Sequence, residues 1–76
     1  MHMSKIEIEN KLEYFYCCIG AFASRHSISN AEAYRYLLNF KGLDFIDKHY
    51  RVEHTQSIED SVEDMTTVCK RNGGRL

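Results

Sequence analysis

Three cysteines (Cys17, Cys18 and Cys69) and four histidines are the residues of this 76-residue chain best suited to metal or nucleophile chemistry. Their spacing serves neither. Adjacent residues of a helix point about 100° apart, so Cys17 and Cys18 do not readily chelate one ion together. No Cys-x-x-Cys or His-x-x-x-His spacing occurs, and buried cysteines act more often as small apolar residues. Cys69 or Ser57 with His49 or His54 lacks the strained turn of an activated nucleophile, and the chain has no phosphate loop. The carboxylates Glu59, Asp60, Glu63 and Asp64 suit the start of a helix better than acid–base work. The expectation is a protein that is not an enzyme and carries no cofactor or metal.

The most distinctive polar text is His49-Tyr50-Arg51-Val52-Glu53-His54-Thr55-Gln56-Ser57. Tyr50, His54 and Thr55 are candidates to touch a partner. The plainer expectation is structural, with Tyr50 packing, His54 bonding local backbone and Thr55 or Ser57 capping the next helix.

These residues must be positioned by helices. The first runs from Ser4 to His26, with Ser4 and Glu7 at capping-box spacing and Met3 and Ile8 as a staple around it. Glu7 and Lys11 form an i,i+4 pair. Ile8, Leu12, Phe15, Ile19 and Phe22 form its core stripe, widened by Tyr16, Cys18 and Ala23. Between Tyr14 and Ser24 the charged face disappears, so both sides of the helix want company. Opposite the large stripe lie Cys17, Gly20, Ala21 and Ser24, with Tyr14 at the edge. Small residues at that spacing let another helix come close. If helix 4 does not cover them, they form a dimer or partner interface.

Helix 2, Asn30 to about Phe40, opens on a second box, Ser29 with Glu32, and an Ile28/Ala33 staple. Its apolar side is Ala33, Tyr34, Leu37, Leu38 and Phe40. Lys41-Gly42 closes it, with Gly42 available for the left-handed position. Helix 3 is short, Phe45 to about Tyr50, capped by Asp44 and carrying the pairs Asp44/Lys48 and Asp47/Arg51; Phe45, Ile46 and Tyr50 supply its buried side. Helix 4 starts after Thr55 or Ser57 and ends near Arg71, with Ile58, Val62, Met65 and Cys69 as its stripe and Val68 beside it. Acids crowd its start and Lys70 and Arg71 its end; Asn72-Gly73-Gly74 stops it, and Arg75-Leu76 are expected to fray. The fold expected is all-α, a small four-helix domain over residues 1–76 packed around a central first helix.

Composition narrows the function classes. Apolar residues make up 43% and charged residues 28%, which supports a globular chain. A net charge of −1 removes general attraction to nucleic acid or anionic membrane. No apolar run approaches the ~20 residues a membrane span needs, and the start of the chain lacks a signal-peptide pattern. An odd cysteine count does not suggest a disulfide framework, so a reducing cytoplasm is the expected location.

The pattern Tyr50-x-x-x-His54-Thr55-x-Ser57, preceded by an aromatic helix, Ser29-x-x-Glu32-x-Tyr34, Gly42 and Phe45-Ile46, resembles a family of short bacterial proteins of unknown function. In that family an apolar residue often precedes the His; Glu53 departs from this. Proteins resembling it are often encoded near ADP-ribosyltransferase-like proteins, which implies an accessory or antitoxin-like binding role. The expected function is a protein–protein interaction module that self-associates or binds a neighbouring gene product. The alternative is a small nucleic-acid-binding regulator, because helices 2 and 3 superficially resemble a helix-turn-helix. Asp44 and Asp47 on the would-be reading helix repel phosphates and disfavour that alternative.

Overall fold

The computed structural model describes residues 5–76, with side chains from Glu9 onward. The expected Ser4/Glu7 box, Met3/Ile8 staple and Glu7/Lys11 pair lie outside the described residues. The chain is all-α: α1 (Lys5–His26), α2 (Asn30–Asn39), α3 (Gly42–Lys48), α4 (Tyr50–Glu53) and α5 (Ile58–Arg71). Four of these are the expected helices. The fifth, α4, is a single turn that starts at Tyr50, the expected end of helix 3, and fills the stretch before the last helix.

The helix ends follow from local chemistry. Ser29 and Glu32 close the reciprocal capping box, each side chain bonded to the other's backbone N–H at 3.1 Å. The bond holds the Glu32 carboxyl below the usual carboxylate range. Ser57, not Thr55, caps α5 by accepting from the Asp60 N–H at 3.1 Å. α1 and α5 both stop on a left-handed residue, Ser27 (φ 56°) and Gly73 (φ 98°). In each case the next N–H reaches back five residues, Ile28 to the Ala23 carbonyl at 3.0 Å and Gly74 to that of Cys69 at 2.8 Å.

The junction of α2 and α3 differs from expectation. Lys41 (φ 71°), not Gly42, takes the left-handed position, and α3 starts three residues earlier than expected, so Asp44 lies in its first turn and is not the cap. Gly42 has another task. A Cβ there would stand 2.7 Å from Leu37 Cδ2 and 2.9 Å from Cys69 Sγ, so the glycine lets α3 close onto α2 and α5.

α1 borders α2 on one flank and α5 on the other, while α3 touches both α2 and α5 across the core. Cys18, Phe22, Leu37, Ile46, Val62, Met65 and Cys69 are fully or almost fully buried between these four helices. Burial pushes the Cys18 and Cys69 thiols up to about 11, so both remain protonated, apolar core residues at neutral pH. The expected core stripe of α1 is shifted in the structure. Phe15 and Ile19 are only half-buried, and Leu12 and Tyr16 are 62% and 78% exposed. On α2, Tyr34 and Leu38 also face out, whereas Tyr36 packs against the core. Leu76 does not fray: it packs on the core, and its N–H donates to the Tyr36 hydroxyl at 3.0 Å.

Candidate interaction site

A groove of about 830 Å³ runs between α1 and the α3–α4 segment, and its lining includes Lys11, Tyr14, Cys17, Tyr50, Val52 and His54. Tyr14, Cys17, Tyr50 and His54, far apart in the chain, are thus brought to one place. The four come from two helices because α1 is long enough to pass both α5 and α4.

The floor is aromatic. Tyr14 meets Tyr50 edge to face, with ring centroids 5.5 Å apart, and Tyr50 stacks on His54 at 4.6 Å. The His54 ring is fixed at its other side by Nδ1, 2.7 Å from the Tyr50 carbonyl, so that nitrogen carries a hydrogen and donates. Lys11 Nζ lies 5.4 Å from the Tyr50 ring centroid while its charge is met by Asp47 at 2.5 Å. The ion pair ties α1 to α3. Val52 stands 66% exposed at the rim.

Beneath the floor the packing turns polar. The Tyr14 hydroxyl and Ser61 Oγ are 2.5 Å apart, and Ser61 Oγ also lies 3.3 Å from the Glu53 carbonyl, which accepts from it. Burial raises the Tyr14 hydroxyl well above the ordinary tyrosine range, so it stays neutral. Glu53 itself is 5% exposed. Its Oε2 accepts from Gln56 Nε2 at 2.9 Å, and the same amide nitrogen donates to Asp64 Oδ2 at 3.1 Å. Burial first, then the Asp64 carboxylate, pushes the Glu53 carboxyl up to about 7. Its Oε1 is buried and meets no hydrogen-bond partner.

The remaining candidates lie elsewhere. Thr55 Oγ1 donates to the Val52 carbonyl at 2.6 Å, a local turn bond outside the groove. Ala21 and Ser24 line a second depression of about 550 Å³ between α1 and α5, beside the Arg25–Glu63 ion pair at 2.7 Å. Gly20 belongs to neither, and a Cβ added there meets nothing within 4 Å. α5 therefore approaches this face beside Tyr14 and Ala21 without covering it; Cys17 and Ser24 are exposed. Glu53, Ser61 and Lys11 were missed as members of the site. Ser61 meets Tyr14 47 residues away, a separation that leaves no periodic trace in sequence.

Among the described residues, no group of three or more His, Cys, Asp or Glu side chains is arranged to hold a metal, and no helix is long and apolar enough to cross a membrane. No curated protein and no solved structure matches the chain. The model of a family described as a protein of unknown function (DUF3791) matches residues 13–72, from the middle of α1 to the end of α5, and the chain belongs to that family.

Proposed function

We propose that this protein is a non-catalytic protein–protein interaction module that docks through the outward side of α1, and that its partner there is a second copy of the chain. The observation that carries this reading is the exposure of Leu12 (62%) and Tyr16 (78%) on the same helix as the open backbone of Gly20. At about 100° per residue, the three fall on one outward strip. In an antiparallel pair centred on Tyr16, Leu12 of each copy meets Gly20 of the other, a large residue over a bare backbone. Covering an exposed Leu side chain contributes roughly 1.5–3 kcal/mol, and a symmetric pair covers Leu12 and Tyr16 twice, which works against the association cost of about 4–15 kcal/mol.

A cytoplasmic, accessory or antitoxin-like role fits the same surface, with an ADP-ribosyltransferase-like neighbour as the hetero-partner to try. Nucleic-acid binding is the weaker reading: the chain's net charge is −1, and α3 presents Asp44 and Asp47 beside Lys48.

Gly20→Arg tests the proposal, because a Cβ added at that position meets nothing within 4 Å in the monomer. Light scattering should give a dimer for the wild type and a monomer for the variant, with unchanged helical circular dichroism. A monomeric wild type overturns self-association. Co-expression with the neighbouring gene's product then asks whether a one-to-one complex forms and is lost in Gly20→Arg. The nucleic-acid alternative is checked by a gel shift with random duplex at low salt.

A further inference from the structure

The buried cluster under the groove has an arrangement that simple packing does not require. Two carboxyl groups, Glu53 from α4 and Asp64 from α5, are bridged by the single side-chain amide of Gln56. Gln56 donates to one oxygen of each, yet Glu53 Oε1, also buried, receives no donor. A carboxylate oxygen in that position is costly, whereas a protonated one needs an acceptor instead. The other carboxyl of the bridge, Asp64, shares the Gln56 amide with Glu53.

The groups facing Glu53 from the other elements are Tyr14 and Cys18 on α1, and Asp60, Ser61 and Asp64 on α5. Tyr14 and Cys18 are neutral; the two aspartates favour a bound proton on Glu53, and the Ser61 hydroxyl opposes it. On its own turn, Glu53 is flanked by Arg51 and His54, both exposed.

We propose that Glu53, Gln56 and Asp64 form a latch tightened by a proton, which clamps the single turn α4 onto α5 and so holds Tyr50 and His54 in the wall of the groove. When Glu53 carries the proton, one negative charge is shared between two bridged carboxyls. When it gives the proton to water, a buried charge stands beside the like charge of half-buried Asp64, and α4 opens more often. Besides the latch, α4 is held by the Ser61 bond to the Glu53 carbonyl and by the few backbone bonds of a four-residue helix. The latch is independent of what docks on α1.

Its test is amide hydrogen exchange on the full chain at pH 5, 6 and 7, corrected for the intrinsic rate. The reporters are the N–H groups of Glu53, His54, Thr55 and Gln56, each bonded to a backbone carbonyl of the same segment. The sign follows from linkage: a carboxyl more basic in the closed form than in the open one stabilises closure fully at low pH, and loses that stabilisation as pH rises toward the closed-state midpoint. Protection should therefore fall several-fold per pH unit, by roughly 40-fold in all from pH 5 to 7. Glu53→Gln, neutral at every pH, should flatten the profile, and Asp64→Asn should move the fall to lower pH. Flat protection in the wild type, or the same fall in Glu53→Gln, overturns the latch. If Glu53→Gln does not fold, the wild-type Glu53 carboxyl ¹³C titration decides: a midpoint near 7 supports the latch, and one below 5 overturns it.

Discussion

The two ends of this helical domain are built on different principles. At one end, Phe22, Leu37, Met65 and Cys69 are wholly buried, and Gly42 is bare so that α3 can approach. At the other end, Tyr14, Ser61, Glu53 and Gln56 bring hydroxyls, a carboxyl and an amide together, hydrogen-bonded except at Glu53 Oε1. The first end resists change mainly through close packing; its histidine, His26, lies on Phe22 at 4.4 Å and is held below the ordinary histidine range by burial. The second depends on hydrogen bonds and on the charge state of one carboxyl. In a chain this small, the apolar end carries the stability and the polar end fixes the shape of the groove.

The largest test of that contrast is Leu37→Ala, which leaves a void against Gly42 and Cys69 in the dry end. A loss of about 2–5 kcal/mol by urea denaturation is expected. A loss below 1 kcal/mol would show that the dry end does not dominate. Next comes pH. Glu53 is more basic folded than unfolded, so its contribution is complete below the ordinary carboxylate range and is lost as pH rises to about 7, the value at which the folded group titrates. The expected loss between pH 4.5 and 7.5 is on the order of 2–3 kcal/mol, absent in Glu53→Gln. Glu32, held below its ordinary range by the α2 cap, works in the opposite direction and weakens α2 as the pH falls.

Two smaller effects sharpen the comparison. Tyr14→Phe removes the bond to Ser61 while keeping the ring on Tyr50, and should cost about 1–2 kcal/mol in thermal unfolding. Lys11→Ala removes the ion pair with a half-exposed Asp47 and the contact above Tyr50; a cost below about 1 kcal/mol is expected, shrinking further in high salt. A salt-independent cost larger than that of Tyr14→Phe would move the weight of the polar end from Ser61 to Lys11.

Much of this fold is legible in the chain because its signals are local. The Ser29/Glu32 box and the Gly73 stop each act within a few residues and form as read, and of the two caps open to α5 the structure uses Ser57. The stripe Val62, Met65 and Cys69 is buried as its spacing implies. Lys41 shows where local rules mislead. Glycine is the better left-handed residue, but Gly42 is needed one position on, where a Cβ would strike Leu37 and Cys69. Of the candidate site, Tyr14, Cys17, Tyr50 and His54 meet in the groove, whereas Thr55 serves a turn. Leu12 and Tyr16 have the spacing of core residues on α1, yet they face out, because periodicity fixes the angles between side chains and not the side on which α2 and α5 settle.

By itself, then, the sequence determined an all-helical chain, where most of its helices start and stop, and that α1 carries more apolar surface than one face can hide. Only the tertiary structure decided which part of that surface stays open, that a Glu preceding His54 is buried rather than solvated, and that it meets Asp64 eleven residues later. The physical reason is range. Caps and periodicity are settled by neighbours along the chain, whereas burial and the charge of a carboxyl are settled by whichever helix arrives across the core.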